Sequence, residues 1–183
     1  MPLFARHQGQ CERSDHRRGE VSDKDETCEN GLSPDALRAT TLDAQICFAL
    51  YSASSRMTKL YRPLLEPLGL TYPQYIAMLA LWEKAPRSVG SLKEALGLDF
   101  GTLSPLLKRL EAQGLVDRRR DPKDERRVIV DLTEAGRALR VSASKVPEEI
   151  VCRVGLPRET MVSLREALRQ LNAALDENGA PKA

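Results

Sequence analysis

The chain has 183 residues, with 28 Lys and Arg against 26 Asp and Glu, for a formal net charge of +2. Hydrophobic residues make up 42% and charged residues 30%, ordinary for a globular chain able to bury a core, and no apolar run approaches the roughly 18–20 residues that span a bilayer. Four Cys without a CxxC pair and two His, at 7 and 16, argue against a disulfide scaffold, a structural zinc site or a Ser-His-Asp hydrolase.

The first residues, Met1 to His7, carry no apolar h-region, so no secretory signal is expected and a cytoplasmic, α-rich protein with no membrane partner and no cofactor is. Residues 1–40 hold six basic and eight acidic residues and almost no apolar periodicity. Such a segment buries too little surface to offset its ordering entropy, so an extension without fixed structure is expected, turning helical from about Ser33. Residues 41–183 carry the opposite balance, a net +4.

A helix is predicted from near Thr41. Ile46, Ala49, Leu50, Ala53, Met57, Leu60, Tyr61 and Leu64 fall on one stripe, and Pro63, Pro67 and Gly69 end it. Thr71-Tyr72-Pro73-Gln74 is a capping-box pattern with Pro in the first turn, opening a helix through Tyr75, Met78, Leu79 and Trp82. Ser88 caps a short helix closed by Gly97. Asp99 caps the next, with Leu103, Leu106, Leu107 and Leu110 inward and Gly114 as its stop. Leu115–Arg118 reads as a strand, Asp121-Pro122-Lys123-Asp124 as a turn, and Val128–Leu132 as the returning strand. Thr133 caps another helix that Pro147 interrupts. The last helix, after Pro157, carries Met161, Leu164, Leu168, Leu171 and Leu175 in steps of three and four. That seam either packs within the monomer or forms a dimer interface, and the latter is expected because the other helices already suffice to close a core.

Helix, tight turn, helix and two-stranded ribbon make a winged helix-turn-helix, whose second helix lies in a DNA major groove. The fold class expected is mostly α with a small β-wing, flanked by N- and C-terminal dimerisation helices. Its boundaries are 41–70 and 133–176 for those helices, 71–132 for the winged helix-turn-helix and 177–183 for a flexible tail. On the helix after Asp99, inward leucines leave Phe100, Thr102, Ser104, Pro105, Lys108 and Arg109 facing out. Small polar residues there suit base edges or phosphate, and the helix N-terminus itself favours phosphate. The ribbon 117–127 holds six basic and four acidic residues, which concentrates positive charge on a thin wing suited to the narrow minor groove.

The run Leu106 to Val116, then Arg118-Arg119-Arg120-Asp121-Pro122-Lys123-Asp124-Glu125-Arg126, then Leu132-Thr133-Glu134-Ala135-Gly136, resembles the MarR family of dimeric bacterial transcription regulators over about residues 41–176. The resemblance implies a homodimer on double-stranded operator DNA. It also implies that Arg126 enters the minor groove with Asp124 orienting it, with Arg118, Arg120 and Lys123 alongside. Phe100 departs from the small polar residue expected beside the cap.

Cys47 lies in the first or second turn of its helix, where the helix dipole favours a thiolate, although a Cys on an apolar stripe is commonly a small buried hydrophobe. Leu42 to Ala53, with Tyr61-Arg62-Pro63-Leu64-Leu65 and Leu70-Thr71-Tyr72-Pro73-Gln74-Tyr75, is similar to the OhrR subgroup, repressors that sense organic hydroperoxides. This implies a peroxidatic role for Cys47. It implies also that Tyr61 and Tyr72 hydrogen-bond its sulfur from the partner subunit, and that Cys152 is a resolving thiol forming an intersubunit disulfide that releases DNA. Two other readings stay open: a regulator released by a small aromatic acid with Cys47 merely packed, and a thiol peroxidase. Cys11 and Cys28 receive no role.

Overall fold

The computed structural model describes residues 34–178, so Cys11, Cys28, both His and most of the expected N-terminal extension lie outside the described residues. Helix α1 spans Pro34–Ala39, which agrees with a helical start near Ser33. A 3-10 turn follows at Leu42–Ala44.

The helix expected from Thr41 starts five residues later. Gln45 is extended (φ −88°, ψ 111°) and breaks the chain after the 3-10 turn, so α2 runs Ile46–Leu65. Pro63 does not end α2 but sits inside its last turn. Termination comes from a second 3-10 turn at Glu66–Leu68 and from Gly69, which adopts φ +67°.

Helix α3 (Tyr72–Glu83) opens with the full capping box. Thr71 N donates to Gln74 Oε1 at 2.8 Å and Gln74 N donates to Thr71 Oγ1 at 3.5 Å. Gln74 is buried, and its Nε2 also donates to Gln113 Oε1 at 3.2 Å, which ties α3 to the end of the helix that Asp99 caps. Leu79 is exposed, unlike Tyr75, Met78 and Trp82 of the same helix.

Strand β1 is the dipeptide Arg87–Ser88, followed by α4 (Val89–Leu96) and α5 (Phe100–Ala112). The ribbon is longer than the hydrophobic pattern indicates: β2 is Val116–Asp121 and β3 is Asp124–Leu132, antiparallel about the Pro122-Lys123 turn. The sheet has three strands in the order β1-β3-β2, and β1 pairs Arg87 with Val130. Charged residues in the outer ribbon satisfy the ladder without needing burial, so alternation of apolar residues underestimates its length.

Helix α6 spans Glu134–Ala143, α7 Val146–Val154 and α8 Arg158–Glu177. The interruption expected at Pro147 is present as the break between α6 and α7, and Pro147 sits in the first turn of α7, where its missing N–H is tolerated. One buried cluster joins Leu65, Tyr75, Met78, Leu81 and Trp82 to Leu92, to Leu103, Leu107 and Leu110, to Val116 and Val130, and to Val146 and Ile150. Trp82 Nε1 donates to the Gly136 carbonyl at 2.8 Å, and Arg140 Nη1 donates to the Trp82 carbonyl at 3.0 Å. Two apolar faces stand outside this core. Helix α8 buries no residue, with Leu164 and Leu175 about half exposed, and Ile46 at the start of α2 is 65% exposed. Among the described residues no helix is long and apolar enough to cross a membrane.

Candidate functional site

Ser88 and Asp99 fix the starts of α4 and α5 by accepting from the backbone N–H of Ser91 (3.1 Å) and Thr102 (2.8 Å). Gly97, at φ +63°, makes the turn between them. The four inward leucines of α5 are buried as expected, which turns Gly101, Ser104, Pro105, Lys108 and Arg109 outward at helical spacing. Lys108 and Arg109 are exposed and Ser104 half-buried.

The N-terminus of α5 differs from expectation. The Asp99 carboxylate occupies it, accepting from Thr102 N and, at 2.8 Å, from Thr102 Oγ1. These hydrogen bonds hold the Asp99 carboxyl below its ordinary range, so it is anionic at neutral pH. A phosphate is repelled from that end, and the hydroxyl hydrogen of Thr102 is already committed.

On the wing, strand alternation puts Arg118 and Arg120 of β2 on the face that carries the buried Val116, Val130 and Leu132, while Arg126 of β3 lies in the irregular stretch where the register shifts between Arg120 and Asp121. Asp124 Oδ1 accepts from the backbone N–H of Arg126 at 3.1 Å, and Asp121 Oδ1 accepts from Lys123 N at 3.0 Å, so the two acids shape the turn. The exposed guanidinium of Arg126 makes no ion pair among the described residues. Arg118 is different. Its side chain is only 19% exposed and its Nη1 donates to Glu111 Oε2 at 3.4 Å, tying the base of the wing to the end of α5. Sequence reasoning treated Arg118 as one of a run of equivalent cations; only the packing of β2 under α5 separates it from Arg120 and Arg126.

Cys47 is the second residue of α2 and Cys152 lies in α7; both are free thiols and both are exposed. Cys47 is thus not a packed core residue. Tyr61, Tyr72 and Tyr75 form one aromatic cluster, with Tyr61 centroids 4.8 Å from Tyr72 and 5.9 Å from Tyr75. Burial pushes the Tyr61 phenol above its ordinary value, with Tyr72 and Tyr75 adding to it, so Tyr61 is a protonated donor at neutral pH. Fourteen residues of continuous helix separate Cys47 from Tyr61, a rise of about 21 Å. The thiol and the Tyr61 phenol of one chain therefore cannot meet. Beside Tyr72 lies an open cleft of about 780 Å³ lined by Thr58, Lys59, Arg62 and Glu66. Cys152 borders a groove of about 730 Å³ between α7 and α8, lined by Val151, Met161 and Val162 and by Arg158 and Arg165.

Residues 59–140 match the family model described as transcriptional regulator SarA/Rot. The chain is 47% identical over 134 residues to the organic hydroperoxide resistance transcriptional regulator of Bacillus subtilis, covering 73% of this chain and 86% of that one. The structure of reduced AbfR bound to DNA, a Staphylococcus epidermidis protein, is similar at 35% identity and a TM-score of 0.62, covering 77% of this chain and 96% of that one. A MarR-family transcriptional regulator from Rhodococcus sp. RHA1 is similar at 27% identity and a TM-score of 0.66, covering 72% and 95%.

Proposed function

The chain belongs to the MarR family of transcription regulators, in the subgroup of the organic hydroperoxide regulators, and we propose that it is a homodimeric redox-sensing repressor. The observation that carries this reading is the separation of parts within one chain. An exposed thiol stands at one end of α2, and a cluster of phenol donors stands about 21 Å away at the other. A second copy running the opposite way along α2 brings each Cys47 to the partner's tyrosines. The same pairing covers the exposed apolar residues of α2 and α8, which a lone chain leaves in water.

In the reduced dimer, α5 of each subunit enters a major groove and Arg126 of each wing reaches a minor groove. Lys108, Arg109, Arg120 and Lys123 contribute positive charge along the backbone, with Ser104 beside them, while Thr102 is held by the Asp99 cap. An organic hydroperoxide is then attacked by the Cys47 thiolate. The S–O bond forms as the O–O bond breaks, and the alcohol leaves with a proton, so that sulfur is oxidised to a sulfenic acid and the peroxide is reduced. Tyr61 and Tyr72 donate hydrogen bonds to the sulfur. Cys152 of the partner attacks the sulfenic sulfur and expels water, leaving an intersubunit disulfide. Half-site spacing is set by the duplex, so drawing Cys47 and Cys152 together moves the two reading heads out of register and releases DNA.

The test is non-reducing intact and peptide mass after one equivalent of cumene hydroperoxide. A Cys47–Cys152 cross-linked peptide from a covalent dimer is expected. Cys47→Ser should bind DNA and ignore peroxide, and Cys152→Ser should sense but overoxidise or wait for external thiol. Peroxide-driven release from the Cys47→Ser protein would sink the mechanism. The cleft lined by Lys59 and Arg62 favours one other reading, a regulator released by a small acidic ligand. An unmodified Cys47 together with a thermal shift on adding aromatic acids would select it.

A further inference from the structure

One side chain on the reading head is not accounted for by phosphate binding. Phe100 is the first residue of α5, directly after its cap, and its ring is 54% exposed. It is absent from the buried cluster, so it contributes little to the core. Its neighbour Gly101 has no side chain, and a Cβ there would lie 2.9 Å from Asp99 Oδ1. The first turn is therefore low, and the Phe100 ring is the group that stands out from it. Helical spacing continues Phe100 into Ser104 and Lys108 along the flank of the outer face. Lys93 of α4 sets its ammonium over one face of the ring, 5.3 Å from the centroid, which leaves the other face and the edge open.

Charge decides what this turn can touch. The anionic Asp99 occupies the backbone donor and the hydroxyl of Thr102, so the turn repels phosphate and faces a groove with an apolar surface. On the major-groove edge of B-DNA the one apolar group is the C5-methyl of thymine. We propose that Phe100 is a specificity-determining residue that packs on a thymine methyl in each half-site. The inference rests on the DNA-binding reading of α5 given above.

The experiment is a selection from random double-stranded DNA by the reduced full-length protein, followed by anisotropy titrations on the selected site. At the thymine under the start of α5, dT is replaced by dU, which removes the methyl and leaves every hydrogen-bonding group. A buried methyl corresponds to about a fourfold change in affinity, so each dU should weaken wild-type binding about fourfold. Phe100→Ser should fold normally, bind the dT and dU sites alike, and select no thymine there. Phe100→Leu should keep part of the dU effect. A selected site that tolerates dU everywhere overturns the proposal, as does a dU effect that persists in Phe100→Ser. If reduced protein enriches no site at all, the DNA-binding reading falls, and this inference with it.

Discussion

Replacing glycine by alanine should have opposite signs at two helical positions of this chain. Gly136 lies in the first turn of α6, and a Cβ added there is driven into the Leu115 carbonyl, 3.0 Å from its carbon and 3.3 Å from Leu132 Cδ2. That carbonyl cannot swing aside, because it accepts from Thr133 N at 3.2 Å while Leu115 N donates to the Leu110 carbonyl at 3.0 Å. Relief requires α6 to back away, and the Gly136 carbonyl then loses the buried Trp82 Nε1–H. Overpacking of this kind costs about 1–3 kcal/mol and each lost hydrogen bond about 1 kcal/mol, against about 1 kcal/mol of improved helix propensity. Gly136→Ala should therefore destabilise by about 1–3 kcal/mol. Gly90, in the first turn of α4, meets only Ser88 Oγ at 3.9 Å, so Gly90→Ala should stabilise by up to about 1 kcal/mol. Urea unfolding followed by the fluorescence of the single tryptophan, at fixed protein concentration under reductant, reads both. An unchanged or raised midpoint for Gly136→Ala would refute the argument that this close approach is rigid.

Arg126→Ala should weaken operator binding by about 1–3 kcal/mol and leave the unfolding midpoint unchanged, whereas Arg118→Ala, which strips a mostly buried stem from the wing base, should lower the midpoint; equal thermal effects would contradict their different environments. The Asp99 carboxyl is held below its ordinary range in the folded chain, so its contribution to stability is full above about pH 4 and is lost as pH falls through the lowered value. Asp99→Asn, which still caps, should flatten that acid limb, and identical pH–stability curves would show the cap to be uncharged in effect. Under the proposed mechanism Tyr61→Phe removes a hydrogen-bond donor to the reacting sulfur, a charge-assisted bond of about 1.5–3 kcal/mol, so stopped-flow oxidation of Cys47 by cumene hydroperoxide should slow by about ten- to a hundredfold. An undiminished rate would detach the tyrosine cluster from the thiol.

Local rules were legible where the chain's own neighbours decide the outcome. The capping box at Thr71, the caps at Ser88 and Asp99, the left-handed glycines at 97 and 114 and the leucine stripe of α5 all follow from spacing within a few residues. Illegible features depend on distant partners. Strand β1 is two residues long and exists only because Val130 and Ile129 offer it a ladder. The Arg118–Glu111 pair joins residues seven apart on different elements, and nothing in a run of three arginines marks which one turns inward. Pro63 is not legible as a helix residue, because a last turn tolerates a proline that a pattern of breakers treats as a stop, whereas Pro147 does mark the break between α6 and α7. Phe100 was visible as out of place, but its relation to Lys93 needed the fold.

Under the proposed mechanism, the placement of Cys152 decides how oxidation acts at a distance. Val146 and Ile150 of α7 are buried in the cluster that contains Leu103, Leu107 and Leu110 of α5. The start of α6 is fastened to the wing base as well, since Thr133 Oγ1 donates to the Gly114 carbonyl at 2.6 Å and Arg137 pairs with Asp131 at 3.0 Å. A disulfide that pulls Cys152 toward a partner thiol would therefore pull an element that shares its buried core with the reading helix, and close-packed cores shift as units more readily than they deform. The break at Ser144–Lys145 is flanked by the buried Ala143 and Val146, whereas Gly155, the left-handed cap between α7 and α8, lies outside that core. Under the proposed mechanism the winged helix-turn-helix should move with α7 as a body about Gly155, and hydrogen exchange on oxidation should rise there while the amides of α5 stay protected.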